Sequence, residues 1–373
     1  MVDPTDVGLR VRYQLACAEG EDAFAKARDI AVEQTVELPE GCYSKQIEEL
    51  VVGKVKVLEE RGEGRWEAVI SYGPDVIGDE LPQLLNVLFG NVSLKAGVRL
   101  TGIELSPALL STFPGPLFGI DGIRELCAVR EQRALLCTAL KPVGLSPEQL
   151  AERAFRFALG GIDIIKDDHG LANQRPAPFK ERVARCQEAV TKANARTGAG
   201  SLYFPNATGT ISGLEERLAF VRAAGCKGVL LSPLLMGFDT VRYAAALSGL
   251  AVLAHPALSG SFFHDDTGIA PDVLLGQIFR LIGSDGVIYP NAGGRFSFTE
   301  IVCDAINAKL RERLDPLRRS FPVPAGGIDV DKIALWVERY GVDTIFLVGS
   351  SLYAQSDLEK ASRNLLDTVR NLI

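Results

Sequence analysis

The pattern of hydrophobic and polar positions changes near residue 126. From there to the C-terminus, short apolar runs rich in β-branched residues alternate with longer segments whose apolar residues recur at helical spacing. The apolar runs occupy residues 134–141, 162–168, 202–208, 228–235, 251–256, 286–291, 322–327 and 344–350. Their hydrophobicity is continuous rather than alternating, which is typical of parallel strands covered on both faces. Eight parallel strands are therefore predicted.

The segments between these runs are predicted to be helices. They include residues 146–159, 179–197, 213–224, 271–281, 298–310, 330–340 and 357–372. Several begin beside residues favoured at helix N-termini, such as Ser146, Asp329 and Asp357. Strand–helix units in this number, over about 250 residues, predict a closed (β/α)8 TIM barrel. The alternative, a doubly wound open sheet, would need a glycine-rich turn after its first strand, where Lys141-Pro142 stands.

The N-terminal third of the chain mixes strand-like and helix-like segments. The predicted strands and helices of this part cover residues 11–17, 54–58 and 65–72, and residues 21–33 and 81–88, respectively. Such a mixture is typical of an α+β layer of ordinary domain size. We therefore predict a ferredoxin-like α+β domain over residues 1–125 and a TIM-barrel catalytic domain over residues 126–373.

Composition narrows the class of protein. The 373 residues are 47% hydrophobic and 23% charged, with a formal net charge of −7. No apolar run approaches the roughly 20 residues that span a bilayer, and the interspersed charges form no basic stripe of the kind that binds nucleic acid. The seven cysteines lack CxxC spacing and are odd in number, which favours reduced thiols. We expect a cytoplasmic protein that binds neither nucleic acid nor membranes.

Chemically reactive side chains follow the predicted barrel strands, whose carboxyl ends hold the active site in this fold. They are Lys141, Lys166, Asp168, His169, Asn206, His255 and Asn291, with His264 and Arg295 in later loops. In the stretch GGIDIIKDDHG (160–170), alternation places Lys166 and Asp168 on one strand face and Asp167 on the other. Asp168 with a further oxygen ligand would suit a hard cation such as Mg²⁺. A plain ion pair of Lys166 with a carboxylate is the alternative.

Glycine-rich turns follow the last two predicted strands. They contain Gly326-Gly327 and Gly349-Ser350, at the positions where barrels of this kind commonly bind a phosphate through backbone N–H groups. Arg295 would add a charge-assisted clamp. Tight turns without a ligand are the alternative, but the presence of both turns at the expected places favours phosphate binding.

Together these motifs resemble those of the ribulose-bisphosphate carboxylase (RuBisCO) large chain. GGIDIIKDDHG is similar to the family's Gly-Gly-Leu-Asp-Phe-Thr-Lys-Asp-Asp-Glu motif. Further segments match in the family's order, namely LKPVGLSP (140–147), FGNV (89–92), FPNATGT (204–210) and PAGGI (324–328). The chain is identified on this basis as a member of the RuBisCO-like, non-carboxylating (form IV) branch.

The resemblance implies a metal site built on Lys166. In the family the lysine at this position is carbamylated by CO₂ and binds Mg²⁺ together with the residues that match Asp168 and His169. The family has a glutamate where this chain has His169, and an imidazole is a softer ligand without charge. The implied cofactors are thus Mg²⁺ and a CO₂-derived carbamate on Lys166, with His169 as an altered ligand.

The resemblance also implies substrate-handling residues. Lys141 matches a lysine that moves protons at the reacting carbons. Asn91 matches an asparagine that approaches the site from the partner subunit, and Glu33 matches a nearby glutamate, although residues 34–37 lack the family's Thr-Gly-Thr-Trp. We expect His255 to act in catalysis and substrate binding, with a buried core histidine as the alternative. The family further implies a homodimer with active sites at the subunit interface.

Departures from the family's residues narrow the range of expected substrates. Arg295 stands where carboxylases have a mobile lysine that stabilises CO₂, and arginine does not replace lysine at such a site. Pro256 and Ile288 stand where the family binds one phosphate with an arginine and a histidine. The other phosphate site retains its glycine-rich turns, with Gly326, Gly327, Gly349 and Ser350. We therefore expect a monophosphate whose other end is apolar, such as a methylthio group, or carries a carboxylate or hydroxyls.

The expected reaction is metal-assisted proton transfer next to a carbonyl, without CO₂ fixation. We expect an enolase or isomerase that acts on a ketose monophosphate such as a methylthioribulose phosphate. One alternative is a decarboxylase or C–C hydrolase of a phosphorylated 3-keto sugar acid, of the 3-oxo-isoapionate 4-phosphate type. A second alternative is an inactive regulatory homologue.

Overall fold

The computed structural model describes residues 8–62 and 64–372, which form two compact units. The first unit contains the described residues up to Phe113 together with Leu258–Gln277. The second contains Pro114–Ala257 and the described residues from Ile278 onward. A loop segment after the fifth barrel strand thus groups with the N-terminal unit. The domain boundary at residue 125 stays a prediction.

The strands and helices are numbered here in chain order. The strands are β1 Leu9–Ala16, β2 Lys54–Gly62, β3 Arg65–Tyr72, β4 Val98–Leu105, β5 Leu135–Leu140, β6 Ile164–Asp167, β7 Leu202–Phe204, β8 Gly228–Leu231, β9 Ala251–Ala254, β10 Gly268–Ile269, β11 Gly286–Pro290, β12 Phe321–Ala325 and β13 Ile345–Leu347. The α-helices are α1 Ala23–Glu33, α2 Lys45–Leu50, α3 Pro74–Ile77, α4 Leu81–Phe89, α5 Pro107–Leu110, α6 Gly119–Leu126, α7 Pro147–Leu159, α8 Phe179–Thr197, α9 Leu214–Ala223, α10 Pro233–Met236, α11 Phe238–Ser248, α12 Phe279–Leu281, α13 Glu300–Arg311, α14 Ile333–Tyr340, α15 Ser350–Tyr353 and α16 Leu358–Arg370.

The sheet of the first unit has the strand order β10-β4-β1-β3-β2. The central strand β1 is antiparallel to both β3 and β4, and the short β10 adds in parallel to β4. Alternate residues of β1 are buried, which is the pattern of a strand with one face on a core. The order β1-α1-β2-β3-α4-β4 along the chain is that of the ferredoxin-like fold, so the predicted α+β fold is confirmed.

The second unit is built on eight parallel strands. Their order in the sheet, β7-β6-β5-β13-β12-β11-β9-β8, follows the chain around a ring, and a parallel bridge between Asn206 and Leu230 joins β7 to β8. Nearly every strand residue is buried, and the interior is filled with branched and aromatic side chains. The predicted (β/α)8 barrel is confirmed, and the site expected at its carboxyl end has a closed scaffold.

Local sequence explains where the barrel helices begin and end. At the start of α7, Ser146 and Gln149 form a reciprocal capping box, with Pro147 at the first helical position. Helix α8 ends at Thr197 because Gly198 takes a left-handed conformation, with φ of 72°. The predicted segment 271–281 differs, since Asp272–Ile278 is a π-helix that leads into the short α12.

The amino-terminal end of the barrel is closed by α6. Asp285, just before β11, accepts hydrogen bonds on Oδ1 from the backbone N–H groups of Phe118 (2.6 Å) and Gly119 (2.8 Å). Its Oδ2 accepts from the N–H of Val252 at 2.8 Å. One buried carboxylate therefore ties α6 to the barrel.

Two further features concern the helices and the cysteines. None of the described helices has the length and apolar character needed to cross a membrane. All seven cysteines, each within the described residues, are free, and five of them are buried. The expectation of reduced thiols agrees with this arrangement.

Candidate active site

The carboxyl ends of β5 and β6 place Lys141 in an ion pair with Asp168, whose charge also interacts with that of Lys166. Lys141 Nζ lies 3.1 Å from Asp168 Oδ1, with the Lys141 side chain 40% exposed and that of Asp168 15% exposed. Lys166 is only 2% exposed, and its Nζ donates to the carbonyl of Asp167 at 3.1 Å. Since β5 and β6 pair in parallel with Ala139 opposite Lys166, the predicted residues of these two strand ends lie together.

The electrostatics of this cluster depend on burial and on opposite charges. Burial lowers the pKa of Lys166, although Asp168 partly opposes the shift. Burial alone would raise the pKa of Asp168, but the His169 side chain and the charges of Lys166 and Lys141 hold it well below its usual range. A lysine with a lowered pKa more readily presents the neutral amine that acts as a base or accepts CO₂.

Asp167 faces the opposite side of β6, as strand alternation predicts. Its fully buried carboxylate is 3.0 Å from Arg182 Nε and accepts hydrogen bonds from Tyr203 Oη (2.7 Å) and the N–H of Asn206 (2.9 Å). Arg182 also donates to the carbonyls of two residues in the loop after β6, Ala172 and Ala177. Sequence reasoning missed Arg182 and Tyr203, because their contacts arise only in the folded barrel.

The two histidines of the rim stack on each other. The ring centroids of His169 and His255 are 4.4 Å apart, and the ring planes differ by 14°. His255 Nδ1 accepts from the N–H of Ala257 at 3.1 Å, so the proton of the neutral ring lies on Nε2. Burial, with help from Lys166 and His169, lowers the pKa of His255 to about 2. His255 is thus a neutral hydrogen-bond donor rather than a cation.

The glycine-rich turns after β12 and β13 lie beside each other. Gly326 and Gly327 have φ of 81° and 73°, and a Cβ on Gly327 would lie 2.8 Å from the backbone nitrogen of Gly294. Ser351 Oγ donates to the carbonyl of Ile328 at 3.5 Å. The turns therefore form one patch of backbone with the loop after β11.

Two predicted members of this patch are accessible. Arg295 follows Gly294 in the loop after β11 and is exposed, with its guanidinium 5.1 Å from the Phe296 ring centroid. Ser350 is exposed and directly follows Gly349, at the start of α15. The patch thus combines exposed cationic and hydroxyl groups with glycine backbone.

Some residues lie elsewhere than the sequence suggested. Ile288 belongs to the buried core cluster of the barrel, so it is a packing residue. His264 belongs to the first unit, is exposed, and has Nε2 3.2 Å from the carbonyl of Ser261. His169 and His255 lie together in the second unit, and a role for His264 at the active site stays a prediction.

Glu33 and Asn91, both in the first unit, are in contact. Asn91 Nδ2 donates to Glu33 Oε1 at 3.2 Å and to Glu37 Oε1 at 3.1 Å. These residues line a cavity of about 200 Å³. Glu37, at a strained φ of 53°, was not identified from the sequence, although it lies where the family's Thr-Gly-Thr-Trp is missing.

Buried Gln34 fixes the backbone around Asn91. Its Nε2 donates to the carbonyls of Asn86 (2.6 Å) and Val87 (2.8 Å) at the end of α4. Its Oε1 accepts from the N–H of Val92 at 3.1 Å. These three hydrogen bonds of the Gln34 amide thus hold the turn that carries Asn91.

The side chains at the end of β6 would fit a divalent cation if Lys166 were carbamylated. Among the described residues, no three His, Cys, Asp or Glu side chains converge as a metal-binding group. Asp168 Oδ1 and His169 Nδ1, 3.6 Å apart, supply two donors of ordinary type. Lys166 adds an oxygen donor only when its amine carries a carboxylate. The residues present therefore fit the metal with Lys166 carbamylated.

Comparisons with known proteins agree with this geometry. Residues 119–355 match the family described as ribulose bisphosphate carboxylase large chain, catalytic domain. The chain is 43% identical over 350 residues to RuBisCO-like protein 1 of Rhodopseudomonas palustris, with 93% of each chain covered. It is 38% identical over 351 residues to the 5-methylthioribulose-1-phosphate isomerase of Rhodospirillum rubrum, with 94% of this chain and 92% of the relative covered.

A solved structure has the same fold along its whole length. The crystal structure of a RuBisCO-like protein from Rhodopseudomonas palustris matches with a TM-score of 0.89 and 36% sequence identity, and 98% of both chains is covered. The chain therefore belongs to the ribulose bisphosphate carboxylase large-chain family, in its non-carboxylating RuBisCO-like branch.

Proposed function

We propose that the protein is an isomerase of a methylthio sugar monophosphate, such as a methylthioribulose phosphate, and acts through enolisation without CO₂ fixation. The observation that carries this proposal is the pair of lysines around Asp168, with Lys141 Nζ 3.1 Å from its carboxylate and Lys166 buried beside it. Similarity over nearly the whole chain to a 5-methylthioribulose-1-phosphate isomerase supports the substrate class.

In this proposal Lys141 moves the proton. It is the more accessible of the two lysines, and in its neutral form it takes a proton from the carbon next to the substrate carbonyl. Return of that proton to the former carbonyl carbon, with transfer of the adjacent hydroxyl proton to the former carbonyl oxygen, completes an isomerisation with no other reactant. His255 donates a hydrogen bond from Nε2 to a substrate oxygen, because its Nδ1 is already occupied by the N–H of Ala257.

Carbamylated Lys166, Asp168 and His169 would hold Mg²⁺. When bound, the cation supplies Lewis-acid polarisation of the substrate carbonyl and hydroxyl. The lowered pKa of Lys166 favours the neutral amine that reacts with CO₂, and the His169 side chain and the charge of Lys141 help to hold the pKa of Asp168 below its usual range. Both features suit an oxygen-rich site for a hard cation.

One phosphate of the substrate would bind at the turns after β12 and β13. Backbone N–H groups of these turns and the guanidinium of Arg295 supply donors; the turn residues are Gly326, Gly327, Gly349 and Ser350. Pro256 and Ile288 offer no anion-binding group where the family binds a second phosphate. A monophosphate is therefore the favoured substrate class.

We further propose a cytoplasmic homodimer in which Glu33 and Asn91 of each subunit complete the active site of the other. The contact of Asn91 with Glu33 supports a shared role for these two residues. A decarboxylase or hydrolase of keto sugar acids and an inactive regulator are not favoured, because the compared relative with a named activity is an isomerase.

The test is proton NMR of 5-methylthioribulose 1-phosphate in D₂O with the protein and Mg²⁺. We expect deuterium uptake next to the carbonyl and formation of an isomer. Lys141→Met and Lys166→Met should each slow both by about 10³-fold, as expected for loss of a proton-transfer or metal-binding group. Lys180→Met is a matched control, because Lys180 forms an exposed pair with Glu216. Absence of exchange with the unaltered protein would overturn the proposal.

A further inference from the structure

The peptide groups of Lys141 are held by side chains rather than by the sheet. Register pairing between β5 and β6 ends at Leu140 opposite Asp167, so Lys141 lies one residue beyond the ladder. Tyr353 Oη accepts a hydrogen bond from the N–H of Lys141 at 3.0 Å and donates to the carbonyl of Ala139 at 2.9 Å. The guanidinium of Arg153 donates to the carbonyl of Lys141.

Tyr353 and Arg153 form one packed unit. The Arg153 guanidinium carbon lies 5.5 Å from the centroid of the Tyr353 ring, a distance that permits a cation–π contact. Phe157, one turn further along α7, packs edge-on against the same ring with centroids 5.4 Å apart. Burial raises the pKa of Tyr353 to about 12, so the hydroxyl keeps the proton that it donates to Ala139.

The position of Tyr353 in the chain connects this unit to the phosphate patch. Tyr353 is the last residue of α15, a single helical turn that starts immediately after Gly349. Ser351, in the same turn, is hydrogen-bonded to Ile328 next to Gly326-Gly327. One helical turn therefore connects the β13 turn to the hydroxyl that holds Lys141.

We infer that Tyr353, supported by Arg153, is a positioning residue that couples phosphate binding at the Gly349-Ser350 turn to the placement of Lys141. The inference rests on the proposed function, in which Lys141 moves the proton. Proton transfer is sensitive to displacements of about 1 Å, which can cost a factor of 10² in rate. A substrate lacking its phosphate would thus meet a poorly placed lysine.

The first experiment does not depend on catalysis. The rate at which an acylating reagent labels Lys141 is measured by mass spectrometry, with and without inorganic phosphate. The proteins compared are the unaltered protein, Tyr353→Phe and Arg153→Met. We expect phosphate to change the Lys141 labelling rate about fivefold or more in the unaltered protein, a coupling of ordinary size, and to leave it unchanged in both variants. An equal response in all three proteins, or none in the unaltered protein, would overturn the inference.

The second experiment uses the isomerase assay. Loss of one hydrogen bond to the Lys141 peptide should lower kcat about tenfold in Tyr353→Phe while KM changes less than about twofold. Arg153→Lys should recover part of the loss seen in Arg153→Met. Tyr289→Phe is the matched control, because the Tyr289 hydroxyl donates to buried Asn307 at 2.6 Å away from Lys141.

Equal losses of kcat in Tyr353→Phe and Tyr289→Phe, or a change in KM alone, would contradict a positioning role. If the unaltered protein shows no isomerase activity, the proposed function fails, whereas the labelling experiment still decides whether phosphate and Lys141 are coupled.

Discussion

At the scale of single residues, Asp167 and Asp168 are neighbours with opposite surroundings. Asp167 is fully buried against Arg182, where removal of one charge leaves the other without a partner. Asp168 is partly exposed between two lysines. Successive residues of a strand point to opposite faces, so one aspartate supports the fold and the other faces the site.

This difference predicts separate effects on stability and activity. Asp167→Ala should lower the free energy of unfolding by about 3–5 kcal/mol, because it leaves the buried guanidinium of Arg182 without its carboxylate partner. Asp168→Ala should lower it by less, because the side chain of its partner Lys141 is 40% exposed, and should abolish isomerase activity. Denaturant unfolding and the NMR assay measure the two effects. Equal destabilisation by both variants would show that the two aspartates do not divide these roles.

The buried carboxyl group of Asp285 should make the free energy of unfolding depend on pH. Burial raises its pKa to about 6, above the value of about 3.9 in an unfolded chain. Between these pH values the folded state binds more protons, so this group's stabilising contribution is complete below about pH 4 and is lost as the pH rises through 6. The loss should be about 2–3 kcal/mol.

Denaturant unfolding from pH 4 to pH 7 checks this dependence. Asp285→Asn should remove this part of the pH dependence, because the amide does not titrate. Identical pH slopes in the unaltered protein and the variant would contradict it.

At the scale of elements, continuous apolar runs identified all eight barrel strands, because each buried parallel strand is apolar on both faces. The run 228–235 was too long as a strand, since Pro233 starts α10 after β8 ends at Leu231. Helices α2, α6 and α11 and strands β4 and β10 were among the elements missed. The two-residue β10 exists only through its pairing with β4, which no local pattern encodes.

The candidate site shows the same limit. Lys141, Lys166 and Asp168 were predictable because a strand ending in charged residues carries its own signal. No such signal marks Arg153, Arg182 and Tyr353, which act through contacts between elements that are distant in sequence. Such contacts depend on tertiary packing and leave no periodic pattern.

Gln34 provides a prediction at the scale of elements, because it joins the end of α1 to the end of α4. Gln34→Leu keeps the volume but leaves the carbonyls of Asn86 and Val87 and the N–H of Val92 without this partner. We expect a loss of about 2–3 kcal/mol in the free energy of unfolding and a lower kcat. Gln83→Leu is the control, since Gln83 makes an exposed bond to the carbonyl of Val76. Equal effects of the two variants would show that Gln34 has no special role.

At the scale of the whole molecule, the proposed dimer predicts complementation between inactive variants. Asn91→Ala and Lys166→Met damage different halves of a shared site, so a mixed dimer contains one intact site and one doubly damaged site. Co-expression with random pairing should give about a quarter of full activity, measured by the NMR assay on the purified mixture. A mixture as inactive as its components would contradict shared sites. Sedimentation of the unaltered protein provides the check on dimerisation itself.

The distribution of the cysteines has a practical consequence for studying this assembly. Burial raises the pKa of the Cys127, Cys137 and Cys186 thiols, which suppresses their reaction with electrophiles. Cys42 is exposed and lies in the first unit. Cys17 is partly buried, and burial raises its pKa as well. A maleimide fluorophore should therefore attach fastest at Cys42 of the natural sequence. Energy transfer between labelled subunits would then report on association without any engineered residue.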